Sequence, residues 1–337
     1  MDMYKIPAQR VDTPQLPPLG AHPTSRTTRN AMLVQQEILT AARSYLREQG
    51  FTELLPPLTG PVTDPGCRGA KQIDIDFYGH DYKLMTSAIL YKQVSLRAFP
   101  KLFYMAPNVR AEHPENAGTG RHLFEFHQID VEIAEADRDE AMGVAAGMLV
   151  HIVQQVVENA SEQLRALGRD PVFFKELLEG GFEKRTHAEV MAVLAGMGHE
   201  QDAEAEIDWE GEAMISGKAD RPFFVTDYPK GSRGFYTRED PEQPGTLRNF
   251  DLLAHGGFGE LVSGSERQFE YEEISAGIRA SGEDADKYRW YLEEVAQGIP
   301  ASAGFGMGLE RVTRYLTGLD SLWQVSAYPK LPGVATP

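Results

Sequence analysis

The sequence predicts an α+β fold, an antiparallel sheet flanked by helices, and three observations carry that expectation. Helical and alternating patterns are segregated along the chain: a helix, several hairpin-like strands, helices, more strands, then a helix. Strand–helix–strand alternation of the kind that builds parallel sheets is missing. Residues 123–133 separate apolar and polar side chains onto two faces, as a strand resting on a core does.

The elements follow in order. Residues 4–25 hold Pro7, Pro14, Pro17, Pro18 and Pro23, a density that forbids regular helix, so residues 1–27 read as an extended arm. Residues 28–49 repeat Ala31, Val34, Ile38, Ala42 and Leu46 at helical spacing, and Gly50 ends that helix. Phe51 to Leu55 reads as a strand stopped by Pro56-Pro57. Residues 72–84 alternate about Gly79-His80 as a hairpin does, residues 85–98 read as helix, and Leu102 to Ala106 as a strand. Residues 139–158 form the clearest helix, with Met142, Ala145, Leu149, Ile152 and Val156 on one face and Asp139 and Glu140 suited to the first turn. Residues 160–220 read as a mostly helical, acidic insertion without a motif. Strand patterns return over residues 223–275, residues 283–296 are helical, and residues 301–317 run from a glycine cluster into a last helix.

Composition bounds the function. The chain has 337 residues, 42% hydrophobic and 25% charged, as an ordinary globular protein does. Its apolar stretches fall short of a membrane span, and no basic segment followed by an apolar run marks a secretory signal. The single cysteine, Cys67, rules out an intrachain disulfide or a thiolate metal cage and fits the cytoplasm. A net charge of −17, with no clustered basic face, argues against an RNA partner.

Chemistry concentrates in four places. On the strand at residues 123–133, Phe124, Phe126, Gln128, Asp130 and Glu132 share the polar face. At roughly 3.3 Å per residue, Phe126 and Asp130 stand about 13 Å apart. An aromatic able to stack on a base is thus one adenylate length from an acid able to bind an ammonium group. Upstream, Arg110-Ala111-Glu112 and Arg121-His122 bracket a loop, and the planar arginine fork suits phosphate oxygens. Gly304, Gly306 and Gly308 precede Leu309-Glu310-Arg311, where a helix N-terminus and an arginine make an anion site. Asp251 and Glu260 flank the Gly256-Gly257 turn and are either Mg2+ ligands or solvated charges. What Arg267 binds is open from the residues alone.

Together these segments resemble the catalytic core of class II aminoacyl-tRNA synthetases of the aspartyl/asparaginyl branch, from about residue 28 to 334, with residues 160–220 unmatched in detail. The resemblance rests on Pro61-Val62-Thr63-Asp64-Pro65, Ile89-Leu90-Tyr91-Lys92-Gln93 and Gln128-Ile129-Asp130-Val131-Glu132. It continues through Ser263-Gly264-Ser265-Glu266-Arg267, Ser302-Ala303-Gly304 and Tyr328-Pro329-Lys330-Leu331-Pro332-Gly333. Within that branch the chain is most similar to the archaeal-type asparagine synthetases, relatives without the anticodon-binding domain. Residues 28–337 then make one catalytic domain.

The resemblance implies a homodimer, ATP and Mg2+ as cofactors, and a set of roles. Arg110 would hold the α-phosphate, Glu112 the adenine or ATP, and His122 the outer phosphates, with Arg121 in the same ATP site. Phe126 would stack on adenine, and Arg311 would close over adenine and the γ-phosphate beside Gly306 and Gly308. Arg110 and Arg311 would be the catalytic pair. Asp251 and Glu260 look like the Mg2+ ligands. Lys92 and Arg267 match residues that grip the carboxylate of aspartate, Asp130 matches one that holds the α-ammonium, and Asp64 and Gln128 join the substrate wall.

Two departures bear on the product. Asp64-Pro65-Gly66 stands where the tRNA enzymes have a glutamate–glycine loop, and Ile89 where they have glutamine. The asparagine-synthetase-like proteins share both changes. With the acidic charge and the missing anticodon-binding barrel, they imply a cytoplasmic, AMP-forming aspartate–ammonia ligase that makes asparagine. Its partners would be aspartate or a similar small acid and ammonia or an amine, without tRNA and without a membrane. The alternatives are an adenylating ligase for another amine or acid, a truncated asparaginyl-tRNA-synthetase-like enzyme, and a silent regulatory paralogue.

Overall fold

A computed structural model describes residues 14–64 and 70–334. Pro7, Pro65, Gly66 and Cys67 lie outside the described residues. Residues 14–18 of the arm are irregular and residues 19–24 form turns. Helix α1, Arg26–Glu48, starts where the Ser25 hydroxyl accepts from the Thr28 amide. It ends at Gly50, whose φ of 83° is left-handed. The apolar stripe Ala31, Val34, Ile38, Ala42 and Leu46 is fully buried.

A short β1, Thr52–Glu53, and β2, Thr59–Gly60, follow. Between them Leu55 and Leu58 are 92% and 59% exposed. The expected hairpin is β3, Asp74–Phe77, and β4, His80–Leu84, which pair antiparallel and continue onto β2. Its turn is Tyr78-Gly79, both with positive φ, the two-residue connection whose twist matches the strands. Helix α2, Ile89–Ser95, carries Lys92.

The main sheet has eight strands. Strands β5, Lys101–Val109, and β6, Glu125–Ala134, pair antiparallel. Helix α3, Arg138–Asn159, follows β6 and packs with α1 on the apolar side of the sheet. By length and composition α3 would pass for a membrane span, yet half of its apolar window is buried within the fold.

The insertion supplies α4, Ser161–Ala166, α5, Pro171–Leu178, β7, Glu183–Thr186, α6, His187–Gly196, and α7, Trp209–Lys218. Strand β7 carries no strand signal, because Glu-Lys-Arg-Thr has no apolar alternation, as suits a half-exposed sheet edge. Then come β8, Phe223–Thr226, β9, Asn249–Ala254, and β10, Gly259–Arg267. Helices α8, Tyr271–Ala280, and α9, Arg289–Ala296, form a second small core with Ile89 and Leu90 of α2. The chain closes with β11, Ser302–Gly308, and α10, Leu309–Thr317.

The strand order is β1-β5-β6-β11-β10-β9-β8-β7. Only the two outermost pairs, β1 with β5 and β7 with β8, are parallel. The glycine cluster is therefore a central strand rather than a loop running into a helix. A Cβ on Gly304 would stand 2.3 Å from Glu132 Oε2, and one on Gly306 would stand 2.7 Å from Gln128 Nε2 and 2.8 Å from Asp130 Oδ1. The glycines leave room for the polar side chains of β6. Between them Ala303, Phe305 and Met307 point into the core with Ile129, Val131 and Ile133.

Candidate active site

The polar face of the sheet forms the floor of one cleft, a cavity of about 390 Å³. Alternation puts Gln128, Asp130 and Glu132 of β6, Ser263, Ser265 and Arg267 of β10, and Asn249 and Asp251 of β9 on that face. Gly304, Gly306 and Gly308 lie between. The floor thus collects residues from segments far apart in sequence, and each strand has a buried apolar opposite face to fix its register.

One end of the cleft is a buried ionic cluster. Lys92 Nζ lies 3.5 Å from Asp130 Oδ1 and 3.4 Å from Glu132 Oε2. Arg267 donates to both Glu132 oxygens, Nε at 2.9 Å and Nη2 at 3.1 Å, and its Nη1 donates to Ser265 Oγ at 2.8 Å. The Ser302 hydroxyl also donates to Glu132. Burial works to raise the Glu132 pKa, but Arg267 and Lys92 outweigh it and hold the carboxyl below its usual range. Burial likewise works against the Arg267 cation, and Glu132 raises its pKa on balance. Asp130 Oδ2 is buried without a hydrogen-bond partner, an acceptor suited to an ammonium or amide N–H. Nearby, Asp64 Oδ2 accepts from the Tyr236 hydroxyl at 2.8 Å, and Gln128 Oε1 accepts from Asn108 Nδ2 at 2.7 Å.

The other end is richer in arginine and more open. Arg110 donates from Nε to Thr86 O at 3.2 Å, and its guanidinium carbon stands 5.1 Å from the centre of the Phe126 ring. The ring expected to stack on adenine thus carries the arginine expected at the α-phosphate. Glu112 accepts from Asn116 Nδ2 at 3.2 Å, and His122 Nδ1 lies 2.6 Å from Thr119 Oγ1. Arg311 Nη1 is 2.7 Å from Glu260 Oε1. Arg121 is buried and pairs with Glu212 of α7, while its Nη1 donates to Trp209 O at 3.0 Å.

Asp251 and Glu260 are both buried on neighbouring strands, Glu260 lining the cleft and standing opposite Leu253, two residues on from Asp251. Among the described residues no group of three or more His, Cys, Asp or Glu gathers. Two carboxylates suffice for Mg2+, which keeps several waters and takes phosphate oxygens, so this pair fits that ion. In the structure each meets an arginine: Arg233 Nη2 at 2.5 Å from Asp251 Oδ2, and Arg311 on Glu260.

Apart from Asp251, which is buried behind the lining, the expected residues line one cleft. Sequence reading missed Glu132 as the shared counter-charge of Lys92 and Arg267, although two cations drawn to one buried wall require an anion. It also missed Tyr236, and it missed Glu206, Trp209 and Glu212 of the insertion, which carry no pattern of their own.

Comparison with known proteins narrows the reading. The family described as tRNA synthetases class II (D, K and N) matches residues 22–332. The asparagine–tRNA ligase of Thermoplasma acidophilum is 31% identical over 306 residues, covering 91% of this chain and 70% of that protein. The asparagine–tRNA ligase of Lactobacillus delbrueckii subsp. bulgaricus is 32% identical over 300 residues, covering 89% and 68%. Among solved structures, asparaginyl-tRNA synthetase from Pyrococcus horikoshii complexed with asparaginyl-adenylate matches with a TM-score of 0.89 and 28% identity, covering 95% of this chain and 72% of that one.

The class II expectation and its fold hold. The expectation of a chain without a tRNA partner is overturned, because these relatives are tRNA ligases. Net charge misled: −17 is a sum over the whole chain and says nothing about any one face. The narrower likeness to asparagine synthetases gives way to asparaginyl-tRNA synthetases, and the alternative of an asparaginyl-tRNA-synthetase-like enzyme fits better than the ammonia ligase.

Proposed function

The chain belongs to the class II tRNA synthetases of the D, K and N group, and from that premise we propose that it activates asparagine or aspartate with ATP as an acyl-adenylate and passes the acyl group to tRNA. A carboxylate oxygen attacks the α-phosphorus, the α–β phosphoanhydride breaks, and pyrophosphate leaves. The acceptor then attacks the carbonyl carbon and AMP leaves. Both reactants of the first step are anions, so the site must neutralise and align them.

The observation that carries this reading is the division of the cleft. A buried ionic cluster, Lys92–Asp130–Glu132–Arg267, stands at one end and arginines 110 and 311 at the other. The first end suits a small zwitterion: Asp130 Oδ2 would accept from its nitrogen, and Lys92 and Arg267 would donate to its oxygens. Arg110 and Arg311 would meet the phosphates, and Phe126 the base once Arg110 moves to the α-phosphate. Asp251 and Glu260 would hold Mg2+, which when bound neutralises phosphate oxygens.

A second reading keeps aspartate as the acid and ammonia or another amine as an acceptor, yielding asparagine, AMP and pyrophosphate. The buried Lys92 ammonium bears on the acid and not on the acceptor, since two cations on one wall suit the carboxylate of aspartate better than the neutral amide of asparagine. One experiment separates the two. The protein is incubated with ATP and Mg2+ plus asparagine or aspartate, with tRNA or with ammonium, and products are identified by mass spectrometry. Aminoacyl-tRNA and AMP support the first reading. Free asparagine and AMP from aspartate and ammonium support the second. No AMP in any mixture contradicts both.

A further inference from the structure

The motif-free insertion reaches into the nucleotide end of the cleft. Asp208 caps α7 by accepting from the Gly211 amide, which fixes the first turn of that helix. In that turn Glu212 is buried, and its Oε2 accepts from the Arg121 guanidinium and, at 3.1 Å, from the backbone amide of Glu260. The Trp209 carbonyl takes a second N–H of Arg121. Gly259, just before Glu260, has a φ of 71°, and a Cβ there would stand 2.4 Å from Arg121 Nη2. The Glu260 side chain in turn holds Arg311 Nη1.

We propose that Glu212 is a positioning residue for the nucleotide half of the reaction, fixing Glu260 and Arg311 through the buried Arg121 pair. This rests on the ATP-activation reading above. Arg121 then leaves the set of phosphate-contacting residues and becomes the counter-charge that holds Glu212 in place. The chain of contacts runs from α7 to the β9–β10 turn and on to the start of α10. It joins three segments whose relative positions set the distance between Glu260 and Arg311. Without the Glu212 charge, Arg121 would be a buried cation beside Arg311 and Arg314. Arg314 already feels that crowding: burial first, then Arg121 and Arg311, push its pKa down to about 9.

The test is calorimetric titration of ATP–Mg2+ in the absence of amino acid, on the parent protein and on Glu212→Gln, with steady-state constants for both substrates. The glutamine keeps the shape and an acceptor for the Glu260 amide but removes the charge facing Arg121. Glu212→Gln should weaken ATP binding about tenfold or more, because small misplacements at such sites are costly. The KM for the amino acid should stay unchanged. A folded Glu212→Gln that binds ATP as the parent does, or that shifts both substrates equally, overturns the proposal. Should Glu212→Gln not fold, Arg121→Lys retains the charge without the fork. It should show the same ATP-only shift, smaller in size, and an unchanged ATP affinity there overturns the proposal too. A parent protein that binds no ATP overturns the activation reading itself, and this inference with it.

Discussion

The two ends of the cleft solve the same electrostatic problem differently. At the amino-acid end Lys92, Asp130, Glu132 and Arg267 are almost wholly buried, and two cations meet two anions. At the nucleotide end Arg311 and Glu260 keep 27% and 11% of their side chains exposed, and Arg110 lies over the ring of Phe126. The first arrangement is fixed by folding, because any unpaired member would be a buried charge. The second can exchange partners more readily, because water and an incoming polyphosphate can reach the partly exposed arginine, at a smaller cost than for a fully buried pair. Under the proposed reading, that difference lets one end recognise a small zwitterion by fixed charges while the other admits a large, highly charged nucleotide.

The largest effect expected from this contrast is on stability. Glu132→Ala leaves Lys92 and Arg267 without their shared carboxylate and should cost about 3–5 kcal/mol. Chemical denaturation measures it, and a loss comparable with that of an exposed pair would break the comparison. Arg311→Ala should behave in the opposite way. Its stability change should be smaller than that of Glu132→Ala, while adenylate formation should fall about 100-fold or more, as for loss of one preorganised transition-state donor.

A pH effect ranks next. His255, behind the nucleotide end and in contact with the Tyr315 hydroxyl, has its pKa lowered to about 4 by burial first and Arg169 second. Its unfolded form binds a proton that the folded form refuses, so stability is lost as pH falls from the ordinary histidine range through that value, by up to about 3 kcal/mol. The acid slope should flatten in His255→Asn. His127 has the opposite sign, since a hydrogen bond to Glu310 raises its pKa. Its contribution is present at low pH and lost as pH rises through the folded value. The smallest expected effect is Gly306→Ala. The new Cβ presses on Gln128 and Asp130 and should cost about 1–3 kcal/mol, and the amino-acid KM should rise more than the ATP KM.

The same contrast governs what could be read from the chain. Every element with a clear period, α1, α3, the β3–β4 hairpin and β6, lies where its pattern put it. The β6 alternation even separates the core face from the cleft face. Strand β11 was not legible, because Gly-Phe-Gly-Met-Gly has the punctuation of a loop, and only the neighbouring Gln128, Asp130 and Glu132 side chains explain why a central strand needs glycine. The amino-acid end was largely legible, since Lys92, Asp130 and Arg267 stand in recognisable runs. The nucleotide end was half legible. Arg110, Arg311, Asp251 and Glu260 stand in motifs, whereas Glu206, Trp209 and Glu212 come from a stretch with no motif and acquire meaning only when α7 packs beside β10. Arg121 shows what a motif residue alone leaves out, because its buried side chain both lines the cleft and pairs with Glu212 of the insertion.

The central claim is that this cleft forms an acyl-adenylate from an amino acid of the aspartate group. The most direct measurement is amino-acid-dependent exchange of labelled pyrophosphate into ATP, with asparagine and aspartate supplied separately and neither acceptor present. The account predicts exchange with at least one of them and its loss in a folded Arg110→Ala variant. A folded parent protein that exchanges with neither, or exchange that survives Arg110→Ala intact, would contradict it.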